Sequence, residues 1–409
     1  MTTNYKTDDS ADLERIVAGY RLAEPVYVTR PTMPNLDDYT QYLRGIWERR
    51  WLTNAGPLHQ EFEAKLASFL GVEHLSLFCN GSIALQVAFE ALRINSGEVI
   101  TTPFSFPATA HVAYWSRVRP VFCDIDPLTF NIDPSKIQQL IGQETRAILP
   151  VHVYGRPCDV EAIQRIAEVH GLHVVYDAAH AFGVRYKGRS VLSSGSISML
   201  SFHATKLFTT LEGGALICGS KARKNRIDFL KNFGIADEDT VIGPGINGKM
   251  NELQAAFGLL RLQGVTEEIR HRRTLARIYR DELRRVPGIF VADDPPECEP
   301  NSAYFPILVD HAAYGMSRDD LFDVFRRCNI LTRKYFYPLI THAPCYSALP
   351  SAAPSNLPVA ERVASQVLCL PMYGTLEPEI VRRISCLISE LHVTLRKRAA
   401  AAATKDGLG

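Results

Sequence analysis

The chain has 409 residues, 46% hydrophobic and 22% charged, which at roughly 100–200 residues per domain implies more than one folding unit. Its 45 Lys+Arg nearly cancel its 44 Asp+Glu, leaving a formal charge of +1, which argues against a protein that coats nucleic acid or an anionic membrane. No apolar run approaches the ~20 residues of a membrane helix, and the polar start MTTNYKTDDSADLERI lacks the apolar core of a signal peptide.

Residues 1–30 read as an N-terminal arm. From 31 to 265 short apolar runs alternate with stretches of helical period. Strands are predicted at Leu75–Phe78, Val99–Thr102, Val121–Asp124, Ala147–Val153, His173–Asp177, Ser198–Phe202 and Ala215–Cys218. Several are unbroken Val/Ile/Leu runs, as expected of strands covered on both faces. Between them lie helical patterns such as Val160–Val169, with Ile163, Ile166 and Ala167 on one face. This alternation predicts an α/β fold with a mostly parallel sheet flanked by helices. Leu253, Phe257, Leu260 and Leu262 begin a long helix running toward Arg285. Residues 266–398 read as a smaller C-terminal α/β domain. It holds a strand near Tyr304–Val309, a helix near Arg318–Arg327 and a last helix near Glu377–Leu395. The Pro-rich segment Ser347–Pro358 is expected to be loop, and the tail 399–409 disordered. The nine cysteines form no CxxC pair, so buried reduced thiols in a cytoplasmic protein are expected, with no metal site.

Three groups of residues could carry chemistry. Asn80-Gly81-Ser82 follows a predicted strand and opens a helix, where free backbone N–H groups and a hydroxyl would suit a phosphate; an ordinary serine N-cap is the simpler alternative. Asp177 ends the buried run Val174-Val175-Tyr176, where it is either functional or a helix cap. Lys206 follows Ser201-Phe202-His203 and precedes Glu212-Gly213-Gly214. Burial would lower its pKa and make it a nucleophile toward carbonyls, whereas a surface lysine between strands would be inert. Taken together, a phosphate cradle, an acid behind a strand and a lysine about 30 residues later are what pyridoxal 5′-phosphate requires.

With those residues in place, the motifs NGSIAL, TTPFSFPATAHVAYW, VYDAAHAFG, SFHATKLFTTLEGG and GINGKMNELQAA, joined by YPLITHAPCY and LPVAERVASQVLCLPMY, resemble the DegT/DnrJ/EryC1/StrS family of sugar aminotransferases over roughly residues 25–395. The resemblance implies a fold-type-I pyridoxal phosphate enzyme and allows roles to be placed by position. Lys206 would condense with the cofactor's aldehyde and shuttle the substrate proton, and Asp177 would pair with the pyridinium nitrogen. Gly81, Ser82 and Ser201 would bind the phosphate, and Phe106 would stack on the ring. His180 stands where relatives often carry Gln, near the ring hydroxyl. Asn247 resembles the loop that reaches the partner subunit's phosphate, with Lys249 as an alternative contact because relatives often have Arg there. Tyr337, His342 and Tyr346 are expected sugar or diphosphate contacts. The implied partners are L-glutamate, a nucleotide-linked keto-sugar and a second copy of the chain, in a homodimer with composite sites. The expected acceptor is dTDP-4-keto-6-deoxyglucose, aminated at C4 in deoxysugar (O-antigen) biosynthesis. The competing expectations are a 3-keto-sugar aminotransferase and a non-catalytic pyridoxal phosphate-binding regulator.

Overall fold

Seven short apolar segments between His74 and Cys218 pair into one sheet because their side chains are buried on both faces. The computed structural model, which describes residues 7–406, gives them as β1 (His74–Phe78), β2 (Glu98–Thr101), β3 (Arg119–Phe122), β4 (Thr145–Leu149), β5 (His173–Asp177), β6 (Ile197–Ser201) and β7 (Gly214–Cys218). Their order is β1-β7-β6-β5-β4-β2-β3. Only β7 runs against its neighbours β1 and β6, and the remaining pairs are parallel. Every strand but β7 therefore delivers its C-terminal end to the same edge, where α/β sheets bind ligands.

The period-2 alternation of the strands divides the core. Ala215 and Ile217 of β7 enter a cluster with Phe62, Leu66, Ala255 and Leu259, which come from helices Pro57–Leu70 and Glu252–Leu283. Leu216 and Cys218 face the opposite way, onto Ala84, Leu85 and Ala88 of helix Gly81–Ala91. Helix Glu252–Leu283 has 32 residues, about 48 Å at 1.5 Å per residue, and an Asn251/Gln254 capping box fixes its start. Its first residue, Glu252, is fully buried and accepts the N–H groups of Leu58 (3.1 Å) and His59 (2.8 Å), so one helix caps another.

The long helix crosses from the large unit to the small one, and the sequence boundary at 265/266 falls in its interior. A buried ionic chain marks the crossing. Arg261 reaches the Leu207 carbonyl (3.4 Å) and Glu268 (2.6 Å); Glu268 also pairs with Arg272 (2.7 Å); and Arg272 donates to the carbonyls of Met372 (2.9 Å) and Ala303 (3.4 Å).

The small unit is an antiparallel sheet of Ile289–Phe290, Phe305–Val309 and Val367–Leu370, packed against helices Arg318–Arg327 and Pro378–Asp406. Residues 7–30 of the expected arm belong to it: helix Thr7–Tyr20 buries Ile16 and Val17 in its core, and Val26–Tyr27 pairs in parallel with Ile330–Leu331. The Pro-rich stretch forms two short 3₁₀ turns ending on helix Pro358–Gln366. The expected disordered tail instead continues the last helix to Asp406, since alanine is the strongest helix former, and 407–409 lie outside the described residues. All nine cysteines are free, five of them buried. Among the described residues no helix is long and apolar enough to cross a membrane.

Candidate active site

The sheet's C-terminal edge brings together the sequence-predicted groups from four separate segments. Asp177 ends β5 and is buried. Its Oδ2 accepts a hydrogen bond from Thr109 (2.8 Å) and its Oδ1 accepts one from the Ala179 N–H (3.1 Å). No helix follows directly, so Asp177 is not a helix cap. Burial pushes its pKa up, against the pull of Thr109, Ala179 and Lys206. A buried carboxylate with this balance is improved by a cation placed beside it.

Lys206 lies in the turn between β6 and β7 and is partly exposed. Its ammonium has no hydrogen bond or ion pair among the described residues, and the surrounding protein lowers its pKa to about 8, with the Asp177 charge opposing the drop. At that value about a tenth of the amine is free at pH 7, against well under a thousandth for an ordinary lysine, as a nucleophile toward a carbonyl needs.

The turn after β1 leads into helix Gly81–Ala91, whose N-cap is Asn80 rather than a serine: the Asn80 side chain accepts the Ile83 N–H at 2.8 Å. The N–H groups of Gly81 and Ser82 keep no partner among the described residues, and the Ser82 hydroxyl is exposed. A side chain on Gly81 would come within 3.0 Å of the Met199 sulfur and 3.2 Å of Ser201 Cβ. Its absence lets Ser201, the last residue of β6, sit against the helix N-terminus. Two amides, two hydroxyls and the helix dipole then form an anion-binding donor set.

Phe106 leaves 61% of its surface uncovered and sits in the loop after β2, its carbonyl accepting the Thr109 N–H at 3.1 Å. His180 is buried beside Tyr304 (centroids 4.6 Å apart), and burial together with the Lys206 charge holds its pKa well below the usual histidine value. Asn247 is exposed, whereas Lys249 is held on its own chain by Asn232 (2.8 Å) and lies over the Phe233 ring (4.5 Å).

The three expected acceptor contacts separate. Tyr337 is exposed, with the Arg318 guanidinium 4.6 Å from its ring centroid. His342 is committed to Glu361 (2.8 Å). Tyr346 is only 2% exposed, and its hydroxyl is bonded to His111 (2.6 Å). In this structure its role is packing.

Sequence reasoning passed over Thr109 and Ser105, whose hydroxyls are 2.8 Å apart and form a relay onto Asp177. No periodic signal marked them, because Ser105 lies outside the helix that begins at Ala108. The residues present fit pyridoxal 5′-phosphate: an unpaired amine, a buried carboxylate lacking a cation, an exposed aromatic face and an anion-binding helix N-terminus share one edge.

Comparison with known proteins agrees with this chemistry. The DegT/DnrJ/EryC1/StrS aminotransferase family matches residues 36–388. The dTDP-4-amino-4,6-dideoxy-D-glucose transaminase of Escherichia coli is 51% identical over 362 residues, covering 88% of this chain and 97% of that protein. The transaminase of the same name from Shigella dysenteriae is 48% identical over 370 residues, covering 90% and 100%. Among solved structures, DesI in the presence of its TDP-sugar product superposes with a TM-score of 0.88 at 34% identity, covering 97% of this chain and 99% of that one.

Proposed function

The chain belongs to the DegT/DnrJ/EryC1/StrS aminotransferase family, and from that premise we propose that it moves an amino group from L-glutamate to C4 of dTDP-4-keto-6-deoxyglucose, giving dTDP-4-amino-4,6-dideoxyglucose. The observation that carries amino transfer is the unpaired Lys206 amine, its pKa lowered to about 8, at the same sheet edge as the buried Asp177. The choice of acceptor is supported by the 51% likeness to a transaminase named for that product.

The cofactor is pyridoxal 5′-phosphate, which when bound supplies an electron sink for the substrate carbon that loses its proton. Lys206 Nζ would hold the aldehyde and, once displaced by the amine of the incoming amino acid, would be the free base able to take and return that proton, work suited to an amine whose pKa is lowered to about 8. Asp177, held by Thr109, keeps the ring nitrogen protonated. Gly81, Ser82 and Ser201 hold the phosphate and so fix the register of the reacting carbon relative to Lys206. Phe106, with its exposed ring, would cover one face of the cofactor ring, and His180 would donate to the ring hydroxyl. Tyr337, exposed and, unlike His342 and Tyr346, with no side-chain hydrogen bond among the described residues, would meet the acceptor.

The enzyme works as a homodimer. The exposed apolar side chains of Trp47, Trp51, Leu52, Tyr114 and Trp115 support an interface, and the exposed Asn247, rather than the engaged Lys249, is the group free to reach a partner's phosphate. Free buried cysteines favour a cytoplasmic setting.

The test is NMR of the product formed by purified protein from dTDP-4-keto-6-deoxyglucose and glutamate. Nitrogen on C4 supports the reading. Nitrogen on C3, or turnover of a 3-keto sugar alone, replaces it with the 3-aminating reaction. A cofactor absorbance band indifferent to glutamate would indicate a binding protein without catalysis.

A further inference from the structure

Tyr154 is a bulky residue in the left-handed region, with φ 57° and ψ 17°, in the loop after β4. Such a backbone is strained and persists only where the surroundings over-determine it. Here they do. The Tyr154 hydroxyl donates to the Tyr335 carbonyl, and its ring stacks on Phe336 (5.8 Å, 7°) and meets Phe104 edge-on (6.2 Å). What the strained conformation achieves is the aim of one backbone donor: the Tyr154 N–H points at His180 Nδ1, 3.2 Å away.

The same loop grips the His180 main chain. A Cβ on Gly155, at φ 82°, would lie 2.7 Å from both the His180 carbonyl and Asn301 Oδ1, so only glycine fits. Asn301 donates to the carbonyls of His180 (2.8 Å) and Phe182 (3.0 Å). The imidazole is parallel to the rings of Tyr154 and Phe336 and tilted against Tyr304. The titratable groups around it are Lys206, after β6, and the hydroxyls of Tyr154 and Tyr304, with no carboxylate among the described residues bonded to either ring nitrogen.

We propose that Tyr154 is a positioning residue: its backbone N–H occupies Nδ1 of His180 and thereby fixes the neutral Nε2–H tautomer. A backbone amide only donates, so Nδ1 must be bare, and the single remaining proton resides on Nε2. The imidazole then presents a donor, as a glutamine amide at that position would, without becoming a second cation beside Lys206. The consequence for the cofactor rests on the reading that His180 meets its ring hydroxyl.

The test uses full-length holoenzyme with ¹⁵N-labelled histidine, the His180 signals being identified by their loss in His180→Gln. The wild type should show bare Nδ1 and protonated Nε2 from about pH 6 to 9. Replacing tyrosine 154 by its α-hydroxy acid exchanges only the N–H for an ester oxygen and should convert the single tautomer to a mixture. Tyr154→Phe, which removes the hydroxyl anchor, should loosen it in part. The pH midpoint of the cofactor absorbance should move by about half to one unit in the ester variant, and not at all when His180→Gln is also present. An Nδ1–H or doubly protonated ring in the wild type, or an ester variant with an unchanged tautomer, overturns the proposal. A tautomer that responds while the absorbance ignores both changes supports the proposal and removes the contact between His180 and the cofactor.

Discussion

Thr109→Val would isolate the hydrogen bond that tunes Asp177. Valine keeps the shape of threonine but withdraws the hydroxyl that donates to Asp177 Oδ2 at 2.8 Å. A bond to a charged acceptor is worth about 1.5–3 kcal/mol, which at 1.36 kcal/mol per unit raises the Asp177 pKa by about 1–2 units above its already elevated position. The acidic limb of kcat/KM should therefore move to higher pH by about that amount, and cofactor affinity should fall about tenfold or more. Thr109→Ser should restore both. In the cofactor-free protein the folded-state pKa of Asp177 lies above the unfolded value of 3.8, so the native state binds more protons between the two. Stability is highest below that interval and falls as pH rises through it, and Thr109→Val widens the interval. Rate profiles of the valine variant and the wild type that superimpose would refute the tuning role of Thr109.

Lys206→Ala should lower amino transfer by at least about 10³-fold with far-UV circular dichroism unchanged, because both the covalent amine and the proton shuttle are lost; a few per cent of residual turnover would contradict the assignment. Reloading of the cofactor-free enzyme should accelerate with pH through a midpoint near 8, where half of Lys206 is free amine, and a midpoint near the ordinary 10.5 would contradict that lowering. Glu252→Ala should destabilise the protein by about 2–5 kcal/mol, measured as a lower urea midpoint, since it strands the buried N–H groups of Leu58 and His59. Asn247→Asp should weaken cofactor binding at constant dimer content in sedimentation, and unchanged affinity would remove the cross-subunit contact.

The sheet was legible because its strands are continuous apolar runs. His173–Asp177 is reproduced to the residue, while Ala147–Val153 lies instead at Thr145–Leu149, since the apolar run carries on past the last ladder pair into the loop that holds Tyr154. The placement of Lys206, Asp177, Gly81 and Ser82 on one edge follows from their positions at or just past the C-terminal ends of sheet strands and was equally readable. Thr109, Ser105 and Tyr154 were not, because hydroxyl relays and a left-handed tyrosine leave no periodic signal. The partners of His342 and Tyr346 were hidden for a related reason: Glu361 and His111 are brought to them only by the fold.

The ionic chain Arg261–Glu268–Arg272 also bears on how this sequence is free to drift. Losing Glu268 strands two buried guanidinium groups, and losing both arginines strands the carboxylate, in either case at a penalty of about 3–5 kcal/mol against a total stability of about 5–15 kcal/mol. Replacing all three with apolar residues of matching volume carries no such penalty, yet every single-step route to that state passes through a crippled protein. The three positions are thus coupled energetically, and as long as they stand they tie the turn after Lys206 to the small unit.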